Sequence, residues 1–74
     1  MVKDLKLTLA SARINVGLTQ EVASEKLGVT RRTLSNWERG VTVPPVGKID
    51  LICEVYGVSY DNLNFLPNST RKVD

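Results

Sequence analysis

Residues 17–40 read GLTQEVASEKLGVTRRTLSNWERG, and this stretch decides the fold of the chain. Thr19 can cap a first short helix, because its hydroxyl can accept a hydrogen bond from a backbone N–H of the first turn. Thr30 can cap a second helix in the same way, and Gly40 can end that helix. Gly28 lies between the two helices and permits a sharp change of direction. The stretch therefore predicts two short helices joined by a tight turn.

The turn has a physical reason for each of its residues. Two helices that cross at a steep angle need a corner residue with positive φ, which Gly28 supplies, and an inward apolar residue, which Val29 supplies. Ala23 allows the two helices to approach closely, since a larger side chain would push them apart. This layout is a helix-turn-helix. An αα-hairpin with no nucleic-acid role fits the turn equally well, so the surface of the second helix must decide.

Hydrophobic periodicity predicts an all-α fold, a compact bundle of about five short helices, with no strand and no internal repeat. The first helix is expected at about Asp4 to Asn15, because Leu5, Leu9, Ala12 and Val16 recur at spacings of four and three. Helices two to four are expected at about 20–27, 31–39 and 46–56, and Ser59 can cap a short fifth helix that carries Leu63 and Leu66. One domain is expected over residues 1–67, followed by a polar tail at 68–74. The expected apolar positions of helices two to four are Val22, Ala23, Leu27, Leu34, Trp37, Ile49, Ile52, Cys53 and Tyr56.

The composition argues against catalysis. The 74 residues contain no histidine and one cysteine, so neither a zinc site nor a catalytic triad can be built from the usual groups. We expect no enzyme activity, no metal and no cofactor. Cys53 has apolar neighbours and is interpreted as a buried structural thiol rather than a redox or nucleophilic group. Apolar runs are far shorter than the roughly 20 residues that span a bilayer, and no secretory signal is evident, which predicts a cytoplasmic protein with no membrane partner.

The charge distribution favours a polyanionic partner. The net charge is only +2, but residues 1–40 hold seven basic and four acidic side chains, whereas residues 41–74 hold three basic and four acidic ones. Two of the basic residues, Arg31 and Arg32, begin the third helix, where the helix dipole normally favours acids. A solvated helix face is the alternative interpretation of this pair. Because no acid lies beside the two cations, we favour a surface that meets an anion.

The outward residues of the third helix suit the edges of DNA bases. Arginine can bind guanine with two hydrogen bonds, and asparagine can bind adenine in the same manner. Leu34 and Trp37 are three apart, so they are expected on the inner face, and Trp37 is interpreted as a core residue rather than a base-stacking one. The side chains left on the outer face are those of Arg31, Arg32, Thr33, Ser35 and Asn36.

The pattern resembles the phage repressor and Cro family of helix-turn-helix DNA-binding domains, from about Leu5 to Leu66. The resemblance depends on Arg13, Leu18-Thr19-Gln20, Leu27-Gly28-Val29, the run from Leu34 to Gly40, Pro44, and Gly57-Val58-Ser59. It implies that Gln20 binds a backbone phosphate and supports the first residues of the recognition helix. It also implies a largely buried ion pair between Arg13 and Glu38. The DNA-contacting residues that it implies are Thr19, Gln20, Thr30, Arg31, Arg32, Thr33, Ser35, Asn36, Arg39 and Thr42.

The connector VTVPP departs from the family pattern, because relatives often carry lysine or arginine there and this chain offers only Thr42 and backbone amides. The sequence predicts a regulator of transcription that binds a double-stranded DNA operator as a homodimer with its third helix in the major groove. The resemblance implies that this regulator is a repressor and that it acts in the cytoplasm of a bacterium or phage-infected cell. Tyr60, Leu63, Phe65 and Leu66 are the expected self-association surface, although the same residues can also cap the core. The alternative function is a protein-interaction module or antitoxin-like adaptor that keeps the fold.

Overall fold

The computed structural model describes residues 6–65, which form four α-helices, one 3₁₀ turn and a pair of short strands. The fold is mostly helical, and the expectation of an all-α bundle is correct only in this approximate sense. No helix among these residues is long and apolar enough to cross a membrane. In chain order, the elements are β1 (Leu7–Thr8), α1 (Leu9–Asn15), α2 (Gln20–Leu27), α3 (Arg31–Glu38), α4 (Val46–Tyr56), the 3₁₀ turn (Tyr60–Asn62) and β2 (Leu63–Asn64).

The helix-turn-helix formed by α2 and α3 has the predicted caps. The Thr19 hydroxyl accepts a hydrogen bond from the backbone N–H of Val22 at 3.1 Å, and the Thr30 hydroxyl accepts one from Thr33 at 3.1 Å. Gly28 adopts the left-handed conformation, with φ of 74° and ψ of 29°. The local chemistry of three residues therefore fixes both helix starts and the corner between them.

The first helix is shorter than predicted, because the residues before it form a strand. Thr8 caps α1 by accepting a hydrogen bond from the backbone N–H of Ser11 at 3.0 Å, so the helix begins at Leu9 rather than near Asp4, which lies outside the described residues. Leu7 and Thr8 pair in parallel with Leu63 and Asn64. The prediction of no strand was wrong, because this pairing joins distant parts of the chain and leaves no local periodicity.

The predicted fifth helix is only a 3₁₀ turn. Ser59 makes no side-chain capping bond, and its carbonyl accepts the backbone N–H of Asn62 at 3.0 Å. Leu63 then enters β2 and is buried, so it belongs to the core and not to the predicted self-association surface. Tyr60 is exposed and Phe65 is partly buried, with their ring centroids 5.6 Å apart. Leu66 and the tail at 68–74 lie outside the described residues.

The core lies where α1, α2, α3 and α4 meet. Ala23 and Trp37 are buried as predicted, whereas Val22 is 40% exposed and Ser24 takes the inward position instead. Ser24 is accommodated because its hydroxyl donates a hydrogen bond to the Glu21 carbonyl at 2.9 Å. Small inward side chains on α2 allow both α3 and α4 to pack closely against it. The buried apolar residues that form this core are Leu9, Ala12, Ala23, Leu27, Leu34, Trp37, Ile52, Tyr56 and Leu63.

Cys53 packs against this core and is partly buried rather than fully buried. Burial raises the pKa of its thiol, and the nearby carboxylate of Asp50 raises it further. The thiol therefore keeps its proton at neutral pH and is a weak nucleophile. This environment suits the structural role that the sequence suggests.

Candidate nucleic-acid interface

An open depression lies between the first residue of α2 and the outer side of α3. Leu34 and Trp37 turn into the core, so the helical period brings the residues at 31, 32, 35, 36 and 39 onto one outward stripe. Within the described part of the chain, the lining contains three guanidinium groups and no carboxylate. Its residues are Gln20, Arg31, Arg32, Ser35, Asn36 and Arg39.

The remaining four predicted contact residues lie around this depression rather than in it. Thr19 lines a neighbouring depression together with Arg13, Gln20, Glu21 and Arg31. The hydroxyl of Thr30 donates to that of Thr33 at 3.0 Å, so these two threonines form the cap of α3. Thr42 is exposed in the connector, where its backbone N–H donates to the Asn36 carbonyl at 3.3 Å. Six of the ten predicted residues are thus brought together, and the other four flank them.

A buried ion pair holds α3 against α1. Arg13 Nε donates to Glu38 Oε2 at 2.7 Å, and Arg13 Nη2 donates to Glu38 Oε1 at 3.2 Å. The side chains are only 12% and 6% exposed, and Arg13 Nη1 also donates to the Leu18 carbonyl at 2.8 Å. The pair that the family resemblance implies is therefore present with bidentate geometry, which is the strongest form of such a contact.

Gln20 supports the recognition helix at the opposite end from the one expected. Its Nε2 donates to Glu38 Oε1 at 2.9 Å, which connects the first residue of α2 to the last residue of α3. Support for the first residues of α3 was expected instead. Glu38 binds the Gln20 amide because a buried carboxylate needs more than one hydrogen-bond donor to compensate for its lost hydration. Gln20 still lines the depression beside Arg31.

Lys48 stabilises the corner of the helix-turn-helix, a role that no sequence pattern indicates. Its Nζ donates to the Leu27 carbonyl at 2.7 Å, at the C-terminal end of α2. A Cβ at Gly28 would lie only 3.3 Å from that nitrogen, so both the space and the positive φ favour glycine at the corner. A cation is favourable at a helix C-terminus because of the helix dipole. No local pattern could reveal a contact between residues so far apart in sequence.

Tyr56 lies near the ion pair and is almost fully buried. Burial raises the pKa of its phenol to about 12, the Glu38 carboxylate raises it as well, and the Arg13 guanidinium opposes both effects. Within residues 6–65 its hydroxyl has no hydrogen-bond partner. The phenol therefore stays neutral below the ion pair across the physiological pH range.

Residues 9–63 match the helix-turn-helix family, a span that covers most of the chain. The chain belongs to the Cro/C1-type helix-turn-helix family. The matched span of this Cro/C1-type domain runs from the start of α1 to the first residue of β2 and contains every residue of the depression. The family consists of DNA-binding regulatory domains and is not typically enzymatic. A comparison with curated proteins finds no match for this Cro/C1-type domain.

Proposed function

We propose that this DNA-binding regulator is a sequence-specific repressor that inserts α3 into the major groove of double-stranded DNA. The observation that supports the proposal is the outward stripe of α3, which combines three arginines with Ser35 and Asn36 in one open depression. Guanidinium groups bind both phosphates and guanine edges, and short polar side chains bind the remaining base edges. Such a combination suits a surface that must hold the DNA backbone and also read its sequence.

The residues divide by the part of DNA that their chemistry suits. Arg31, Arg32 and Asn36 are proposed to reach base edges, with Ser35 between them. Arg39 and Gln20 lie at the borders of the stripe, where phosphates of the flanking strands would pass. The flanking threonines, Thr19, Thr30, Thr33 and Thr42, complete the proposed contact surface. The hydroxyls of Thr19, Thr33 and Thr42 are proposed to donate to phosphate oxygens, whereas the Thr30 hydroxyl donates to Thr33 and positions it.

A homodimer is proposed for the DNA-bound state. One recognition helix contacts only a few base pairs, so two-fold symmetry is the usual way to reach useful specificity, with half-sites about 34 to 36 Å apart. The described domain measures 34 × 25 × 21 Å, so two copies can lie side by side on one face of the duplex at this separation. Action on a DNA operator would take place in the cytoplasm of a bacterium or phage-infected cell.

A second candidate function is a protein-interaction module of the antitoxin or adaptor type. The observation that favours it is a set of exposed valines in and after the connector between α3 and α4. Val41, Val43 and Val46 are 60%, 50% and 84% exposed. Apolar side chains of this kind suit a protein partner better than a phosphate backbone. Apart from Thr42, the two functions use different residues, so substitutions on α3 and of the connector valines can separate them.

Selection of bound sequences from a random duplex library tests the proposed function. The chain should enrich palindromic half-sites, and Arg32→Ala should relax one base preference at a cost of about 1 to 3 kcal/mol. Lys26→Ala is the matched control, because it removes one positive charge from an exposed position of α2 that is outside the depression. If no sequence is enriched even at low salt, the proposal is wrong. Loss of affinity with rising salt alone would report only phosphate contacts.

A further inference from the structure

Two residues of the proposed reading surface are hydrogen-bonded to each other. Arg39 Nη2 donates to Asn36 Oδ1 at 2.9 Å, one turn apart at the C-terminal end of α3. Arginine has only donors, so the oxygen of the Asn36 amide, and not its nitrogen, must face the guanidinium. The contact therefore determines the orientation of an amide whose two ends are otherwise similar in shape.

The backbone at both positions is held in place. The Asn36 carbonyl accepts the backbone N–H of Val41 at 2.9 Å and that of Thr42 at 3.3 Å, which closes the end of the helix. The backbone N–H of Arg39 donates to the Ser35 carbonyl at 3.0 Å. Because the backbone is fixed at both positions, only the side-chain rotamers of Asn36 and Arg39 remain free. The hydrogen bond between the two side chains restricts these rotamers.

We propose that Arg39 is a positioning residue that sets which bases Asn36 reads. The inference depends on the proposed DNA-reading function of α3. An asparagine that binds adenine with two hydrogen bonds must present both Oδ1 and Nδ2 to the base edge. The bond from Arg39 occupies one of the two acceptor sites of Oδ1, which weakens the bond that Oδ1 can accept from adenine N6 and leaves Nδ2 as the main group that meets the base. An N–H donor favours guanine, which presents two major-groove acceptors, N7 and O6, over adenine, which presents one acceptor beside a donor.

Arg39 can hold Asn36 and still bind DNA. The guanidinium carries five N–H donors in a planar fork, and the bond to Asn36 uses the terminal Nη2 group. A phosphate bound to the other side of the fork would fix the guanidinium on the helix and strengthen its hold on the amide. Removal of Arg39 should therefore have two separable effects, a uniform loss of affinity and a change in the base preferred by Asn36.

The test measures the affinity of the full chain for duplexes that carry each of the four base pairs at the Asn36 contact. The Asn36→Ala variant identifies this base pair, because it should lose the wild-type preference among the four base pairs only at the position that Asn36 contacts. The wild-type chain should prefer guanine there, and Arg39→Met should shift the guanine-to-adenine affinity ratio toward adenine by at least about fivefold, the low end of the discrimination given by a two-bond contact. Circular dichroism checks that each variant keeps its helices.

A double substitution gives the deciding control. In the Asn36→Ala background, Arg39→Met should weaken binding to all four duplexes equally and leave their ratios unchanged. If Arg39→Met alone weakens all four duplexes equally, Arg39 contacts only phosphate and the inference is wrong. A shift in ratios that persists without Asn36 would also overturn it, since Arg39 would then read the base itself. If the wild-type chain prefers no sequence anywhere, the proposed function fails together with the inference.

Discussion

Removal of Arg13 should destabilise the domain by about 3 to 5 kcal/mol, the cost of leaving one buried charge without its partner. Arg13→Met deletes both hydrogen bonds to Glu38 and the bond to the Leu18 carbonyl, while a chain of similar length is retained. The Glu38 carboxylate, 6% exposed, would keep only the Gln20 amide. An exposed ion pair would contribute only about 0.2 to 1 kcal/mol, so the size of the loss reports burial.

Equilibrium unfolding in urea measures this loss. Trp37 is the only tryptophan of the chain and is 3% exposed, so its fluorescence reports the opening of the core next to α3. A chain of this length is expected to have a total stability of roughly 4 to 11 kcal/mol. With a urea slope of about 1 kcal/mol per molar, the midpoint should fall by about 3 M or more, and the variant is expected to be marginally folded.

The double variant Arg13→Met/Glu38→Leu separates two contributions to the loss of stability: the lost attraction of the ion pair, and the cost of a buried carboxylate without its partner. Because it removes the carboxylate as well, it should be more stable than Arg13→Met alone, although one more residue has been changed. A cost below about 1 kcal/mol for Arg13→Met would refute the reasoning, since an exposed pair gives that value. The reasoning would also be refuted if the change in the free energy of unfolding of the double variant equalled the sum of the changes caused by Arg13→Met and Glu38→Leu alone.

Three further substitutions and one control substitution test the packing of the fold, the cap of α3 and the ionisation of Tyr56. In the same urea assay, Ala23→Leu should lower the free energy of unfolding by about 1 to 3 kcal/mol, because the larger side chain overpacks the contacts of α2 with α3 and α4. Val22→Leu, at the neighbouring exposed position, is the control and should change the free energy of unfolding by less than about 0.5 kcal/mol. Thr30→Ala should cost about 1 kcal/mol through loss of the α3 cap, and an unchanged midpoint would contradict this role. Because burial raises the pKa of Tyr56 to about 12, the neutral phenol stabilises the fold fully below pH 10 and this contribution is lost as the pH rises toward 12. The free energy of unfolding should fall between pH 9 and pH 12, and about 2 to 3 kcal/mol of this fall should come from Tyr56. The Tyr56→Phe variant should lack this part of the fall.

Local chemistry made the helix-turn-helix predictable. The caps at Thr19 and Thr30 and the left-handed Gly28 depend on neighbours within a few residues, so they can be identified from the sequence. The outward stripe of α3 follows from the helical period once Leu34 and Trp37 are placed inside. The same period predicts four of the six residues of the depression, Arg31, Arg32, Ser35 and Asn36, whereas Gln20 and Arg39 were expected there only from the family resemblance.

Contacts between distant parts of the chain were not predictable. The first helix was extended too far because the partner of Leu7 is Leu63, and neither residue signals the other. The apolar character of Val22 predicts burial, but α3 and α4 both pack on α2 and cover its Ser24 side instead. Lys48 was missed for the same reason, since its acceptor at Leu27 belongs to another helix. Each error is a tertiary contact that overrides a local preference.

The parallel pairing of Leu7–Thr8 with Leu63–Asn64 has a consequence for the order of folding events. It closes a loop that contains all four helices, and the entropy of closing such a loop is lost before the pairing contributes any stability. Contacts between the consecutive helices α2 and α3 close much shorter loops and can form earlier. We therefore expect the strand amides to exchange with solvent through local opening of this pair, while the amides at the centre of α3 exchange only when the whole domain unfolds.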